Sequence, residues 1–358
     1  MWQLNRLLAA IQGTRVSIIR RPRIDYRLLP RTSVPGLSAA IAAQITSRGL
    51  FSWTDPTRPA LSCSRKEIVM RRIHAIARTM FGATIAAGGL IALAPAAQAI
   101  TIPVACSENA LVAAVNLANS TPTSDTLVLA GGCTYGMTTA HGGAANALPV
   151  ITTPIEMIGP ATVTNASLLG LGLFRIAEVG PTGSLTLTTG VAFTRGNVLG
   201  NGGGVLNRGA VTLTGSTLTG NTASGNGGGL ANADTPTGTA PAATFTNSPL
   251  SGNTTLLGDG GAVYNGLRGT LTVTGVTGSP LFVTGNSAGR GGGISAVGST
   301  ATTLTQTAVT NNHALLLLGD SGGVYRQGGT MTTTNTPITA NTPNNCVGSV
   351  PAVPNCTG

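Results

Sequence analysis

NGGGVLNRGAVTLTGSTLTGN, residues 201–221, contains glycines, an aliphatic residue, threonines on alternate positions and a closing asparagine, and the same phrase returns in looser form to the C-terminus. Aligned on the glycines, it reads NGGGVLN at 201–207, NGGGLAN at 226–232, DGGAVYN at 259–265, RGGGISA at 290–296 and DSGGVYR at 320–326. The anchoring aliphatics Val205, Leu230, Val263, Ile294 and Val324 fall 25, 33, 31 and 30 residues apart. A second phrase, aliphatic-x-x-Asn, follows each anchor and ends at Asn221, Asn253, Asn286, Asn312 and Asn341. Between the two lies Thr-x-Thr, at Thr186/Thr188, Thr212/Thr214, Thr244/Thr246, Thr272/Thr274, Thr303/Thr305 and Thr332/Thr334, with mostly apolar residues alternating.

Alternation of this kind marks strands with one buried face. Glycine and β-branched threonine are too frequent for a helical solenoid. Three short strands per repeat, separated by Gly and Asn turns, predict an all-β, single-stranded right-handed parallel β-helix in which each repeat is one coil about 4.8 Å above the last. Equivalent residues then stack. Val205 to Val324 form an aliphatic column in the core, and Asn221, Asn253, Asn286, Asn312 and Asn341 form a ladder whose amides bond coil to coil. The glycines supply positive φ or close approach at corners. A single coil cannot bury its own apolar face, which is why the phrase repeats.

Charge is distributed unevenly. Residues 1–99 hold fourteen of the twenty Lys and Arg and three of the ten Asp and Glu, a balance of +11, whereas 100–358 hold six arginines and seven acids, a balance of −1. Nucleic-acid binding needs several cations facing phosphates, and the body has no lysine, so that class is excluded. MRRIHAIARTMFGATIAAGGLIALAPAAQA, residues 70–99, has the basic start, apolar run and small-residue ending of a secretory signal peptide. Cleavage after Ala97-Gln98-Ala99 predicts a mature chain beginning at Ile100. The apolar run is shorter than the ~20 residues of a membrane span, so the mature chain is expected to have no integral span. Arg71-Arg72 is a weak match to a twin-arginine export signal. Residues 1–69 read as an over-extended or disordered leader.

An exported chain keeps its cysteines oxidised, and 100–358 contains four. Spacing favours Cys106 with Cys133 and Cys346 with Cys356 among the three possible pairings. SENALVAAVNLAN, residues 107–119, reads as a helix capping the first coil, with Ser107 as N-cap, Glu108 in the first turn and a Leu111, Val115, Ala118 stripe. Asp125-Thr-Leu-Val-Leu-Ala reads as the first strand. The expected organisation is a cap over 100–125, coils over 126–341 and a disulfide plug over 342–358.

Glycine-glycine-aliphatic followed by aliphatic-x-x-Asn resembles the repeat pair of polymorphic outer membrane protein passengers. Residues 100–358 resemble secreted bacterial right-handed β-helix repeat proteins of the pectate-lyase-like superfamily. The usual aromatic of the Phe-x-x-Asn phrase is Leu, Val or Ile here, and the 358 residues contain no barrel translocator, so an autotransporter role is not expected. The resemblance implies the fold, and relatives that cleave acidic polysaccharides use clustered aspartates, or calcium-binding acids with a basic residue.

The matching column here precedes the glycines, where Asp259, Arg290 and Asp320 occupy successive coils, with Tyr264 and Tyr325 in a nearby column. Carboxylates across an arginine with aromatics beside them suit a glycan-binding or hydrolytic site. Opposite charges on neighbouring strands equally suit a structural ladder, and an arginine between two acids favours their charged forms, which suits no general acid. The Thr-x-Thr rows also resemble the water-ordering faces of ice-binding β-helices. The expected function is an exported, non-catalytic, extracellular or cell-surface scaffold for adhesion or glycan binding, with a polysaccharide lyase or hydrolase as the alternative and ice binding as a lesser one. No cofactor or metal is expected, calcium entering only under the lyase alternative. Expected partners are polysaccharides or cell-surface glycans.

Overall fold

The computed structural model describes residues 98–358 apart from 169–171, 234–238 and 316–319. The leader and most of the signal segment lie outside the described residues. The fold is a parallel β-helix of stacked coils with four parallel sheets along its length, of nine, eight, six and five strands.

One coil shows how the opening phrase is used. Val205–Asn207 joins the six-stranded sheet, Ala210–Thr214 the nine-stranded, Thr217–Thr219 the eight-stranded and Thr222–Ala223 the five-stranded. The coil therefore has four strands, one more than alternation predicts, because a two-residue strand carries no alternating signal. Register is regular although repeat lengths differ. Ala177, Val205, Leu230, Val263, Ile294 and Val324 pair in one fully buried column. Val163, Phe193, Leu218, Leu250, Val283, Val309 and Ile338 form a second. Leu187, Leu213, Phe245, Val273 and Leu304 form a third, closing the core from the nine-stranded side. Burying one such side chain contributes about 1.5–3 kcal/mol, so stability accumulates coil by coil.

The asparagine phrase sits at the corner after the eight-stranded sheet. The Nδ2 of Asn221 donates to Oδ1 of Asn253 (3.0 Å), Asn253 to Asn286 (3.1 Å), Asn286 to Asn312 (2.9 Å) and Asn312 to Asn341 (3.0 Å). The ladder runs on to Asn345 at 3.1 Å. Each Oδ1 also accepts the backbone N–H of the asparagine one coil earlier, which satisfies a buried corner donor. A second ladder, Asn207 to Asn232 (2.8 Å) to Asn265 (3.0 Å), lies after the six-stranded sheet. The glycines divide the corner work. Gly202, Gly227, Gly260 and Gly291 have positive φ. At Gly228, a Cβ would lie 2.5 Å from the carbonyl of Gly261 in the next coil, so close approach excludes a side chain there.

Both ends are covered. Helix α1, Glu108–Ala118, is capped by Ser107, whose hydroxyl accepts the Ala110 N–H, and buries Leu111, Ala114, Val115 and Ala118. The nine-stranded sheet opens with Thr101–Val104, ahead of the helix, and Asp125–Leu129 is its second strand, not its first. A strand of four residues holding Pro103 has too little alternation to be read. Cys106 is bonded to Cys133, and Cys346 to Cys356, as the spacing predicts. In the tail, Cys346 and Val353 join the core, while Thr333, which stands where Leu304 stands one coil earlier, donates to the Pro354 carbonyl.

Candidate functional site

Side chains that face outward differ sharply between sheets. On the nine-stranded sheet, Thr186, Thr212, Thr244, Thr272, Thr303 and Thr332 are in register, and so are Thr188, Thr214, Thr246, Thr274, Thr305 and Thr334. A third column, Thr194, Thr219, Ser251, Thr284, Thr310 and Thr339, runs along the eight-stranded sheet. This column is the second residue of LTGN and its cognates, a signal carried by the same phrase that ends in the ladder asparagine. The six-stranded sheet and the corners on either side of it instead collect Arg175, Glu178, Arg208, Asp259, Tyr264, Arg290, Asp320 and Tyr325.

At the C-terminal end of that face, Arg290 forks onto Asp259, with Nε to Oδ1 at 3.1 Å and Nη2 to Oδ2 at 2.7 Å. Its Nη1 donates to the Tyr325 hydroxyl at 3.0 Å, and its guanidinium lies 4.6 Å from the Tyr325 ring centroid. The hydrogen bond to Asp259, which burial opposes, holds the Arg290 guanidinium even more firmly protonated than usual, and the negative charges of Asp259 and Asp320 add to this. Tyr264 and Tyr325 share the outward column, with Ser295 between them. Burial pushes the Tyr264 phenol up, the Asp259 charge pushes it further, and Arg290 partly offsets both. Tyr325 is only 7% exposed. Asp320 lies beyond the fork. Its backbone carbonyl accepts from Asn344 at 3.3 Å, and its charge reaches Arg290 through space. The structure thus brings Asp259, Arg290 and Tyr325 into direct contact and leaves the Asp320 carboxylate outside that contact. A planar guanidinium can serve one carboxylate bidentately, and Asp259 has that place.

A second cluster on the same face escaped the sequence reading. Glu178 pairs with Arg208 and, at 3.3 Å, with Arg175. Arg175 also donates to the Asn146 side chain and, at 3.2 Å, to the Asn201 carbonyl. Burial lowers the Arg175 pKa from its usual range and the Arg208 charge adds to this, while Glu178 offsets it. Arg175 and Glu178 lie in the coil before the first glycine phrase, so no repeat aligned them with Arg208, which directly follows that phrase.

Chemically, both oxygens of Asp259 accept from one arginine, which favours the charged form of the carboxylate. Among the described residues, no three His, Cys, Asp or Glu side chains converge on a metal position. No described helix is long and apolar enough to cross a membrane. No family model, curated protein or solved structure matches this chain.

Proposed function

We propose that the chain is an exported, non-catalytic β-helix scaffold that works outside the cell or on its surface and binds glycans through the face of its six-stranded sheet. The observation that carries the reading is the segregation of side chains: paired charges and tyrosines gather along the six-stranded sheet, and the threonine columns run along the nine- and eight-stranded sheets. Half-buried Tyr264 offers part of a ring to a sugar, and Arg290, with its side chain 35% exposed, offers the remaining capacity of a guanidinium already held in place. The signal segment, the paired cysteines and the likeness to secreted pectate-lyase-like and polymorphic outer membrane protein repeats support export. Purified mature protein incubated with a panel of acidic and neutral polysaccharides should bind at least one of them without cleaving it, and Tyr264→Ala and Arg290→Ala should each weaken binding severalfold while Thr244→Ala does not. New reducing ends or unsaturated uronates, with or without calcium, would replace this reading with a lyase or hydrolase.

A second reading rests on the threonine columns. Their lengths of sequence differ, yet the hydroxyls stack in two six-deep rows, as a water-ordering face requires. Ice-recrystallisation inhibition abolished by Thr244→Lys and Thr272→Lys would favour it, and an absence of both inhibition and thermal hysteresis would end it.

A further inference from the structure

We infer that removal of the signal segment creates a buried ion pair between the new α-ammonium of Ile100 and Asp125, so that processing itself locks the N-terminal cap. The inference rests on the export reading for its cleavage site and on geometry for the rest. Asp125 is fully buried, and its Oδ1 accepts from the backbone nitrogen of Ile100 at 2.9 Å. Its Oδ2 accepts from the Thr121 hydroxyl. The Ile100 carbonyl is fixed in turn by the Thr126 N–H at 2.9 Å. Ion pairs among the described residues join His141 with Glu108, Arg175 and Arg208 with Glu178, and Arg290 with Asp259, and none of them includes Asp125. In the uncleaved chain the carboxylate is therefore met by a neutral amide and a hydroxyl, although a buried charge is stable only when paired.

Hydrolysis of the Ala99–Ile100 bond changes that. Water supplies hydroxyl to the Ala99 carbonyl carbon and hydrogen to the Ile100 nitrogen, and the freed amine takes up a proton below its ordinary pKa of about 7.7–8.0. A cation with three donors then stands where one N–H stood, already within hydrogen-bond distance. The other titratable groups on packed elements point elsewhere: Glu156 is on the neighbouring strand, one residue over and facing out, and Glu108 with His141 is at the opposite end of helix α1.

The test uses the full chain with a site-specific protease recognition sequence placed before Ile100, compared before and after cleavage at that residue. Cleavage should raise the thermal midpoint by at least about 5 °C at pH 6.5, and the gain should vanish as the pH rises past 9 and the amine loses its charge. In Asp125→Asn, which keeps an acceptor but no charge, cleavage should give no gain. An equal gain in Asp125→Asn, or no gain in the parent, overturns the ion pair whatever the natural cleavage site. Mass spectrometry of the exported protein should give Ile100 as the first residue, and a terminus elsewhere overturns the processing step while leaving the comparison to judge the pair.

Discussion

Replacing Asn253 with alanine should be among the most damaging single changes in the coils. Its Oδ1 accepts the Asn221 N–H at 3.1 Å and the Asn221 Nδ2 at 3.0 Å, while its own Nδ2 donates to the Leu218 carbonyl at 3.0 Å and to Asn286 at 3.1 Å. In Asn253→Ala, Asn221 Nδ2 keeps the Phe193 carbonyl and Asn286 keeps the Asn253 N–H. The backbone N–H of Asn221 keeps nothing, whereas the carbonyl of Leu218 stays in the parallel ladder with the Leu250–Ser251 strand. One buried backbone donor without a partner, at about 1–3 kcal/mol, and the lost side-chain bonds, at about 0.5–1.5 kcal/mol each, put the loss at roughly 2–4 kcal/mol. Asn253→Asp should lose more at neutral pH, because an acceptor would face the Leu218 carbonyl and Asn286 Oδ1. Urea unfolding followed by far-UV circular dichroism measures the total, and amide hydrogen exchange at Asn221 shows whether the break is local, as expected for a solenoid whose coils contact only their neighbours. The outward Thr244→Ala serves as control and should stay within about 0.5 kcal/mol. A loss below about 1 kcal/mol in Asn253→Ala, or one no larger than the control, would refute the view that the ladder closes the corner's hydrogen bonding.

Other consequences are as direct. Gly228→Ala would set a Cβ against the Gly261 carbonyl and the Thr254 backbone, all about 2.5 Å away, and should cost at least 3 kcal/mol or prevent folding, as read by expression and melting. Burial alone would raise the Glu108 pKa, but hydrogen bonds from the Thr138 hydroxyl, His141 and the Thr138 and Thr139 amides outweigh it and hold the carboxyl at about 2, against an ordinary 4.5. Folding therefore favours its charged form. The contribution is full above pH 4.5 and is lost as pH falls towards 2; with solvent screening it is worth about 1 kcal/mol, and Glu108→Gln should flatten that part of the stability profile. Opening the Cys346–Cys356 bridge by Cys→Ser at both positions should cost about 2–3 kcal/mol of tail closure and expose Val353 and Met331, measured by denaturation and by proteolysis of the tail.

What the sequence made legible depends on how each feature is encoded. The Val205 column and the Asn221 ladder could be read because one residue type recurs beside a glycine phrase that sets the frame. The second ladder was harder, since Asn207, Asn232 and Asn265 give way to Ala296 and Arg326 in the same column after only three coils. Strands such as Thr222–Ala223 are too short to show a period. At the candidate site, the column of Asp259, Arg290 and Asp320 was visible, but which carboxylate the arginine grips depends on side-chain geometry and not on register. Of the cluster of Arg175, Glu178 and Arg208 only Arg208 adjoins a glycine phrase, so no repeat frames its partners, and the contact between Asp125 and Ile100 joins residues 25 apart with nothing in the intervening sequence to announce it.

Successive coils range from 25 to 33 residues in length while their strand columns keep register, so every surplus residue leaves at a corner. The molecule is in effect a ruler with graduations about 4.8 Å apart, along which length can be added between marks without moving the marks. Insertions at corners such as the exposed turn Val276–Ser279 should therefore leave the rows on all four faces undisturbed, and those corners are the places where new sequence can be displayed at known intervals on an unchanged body.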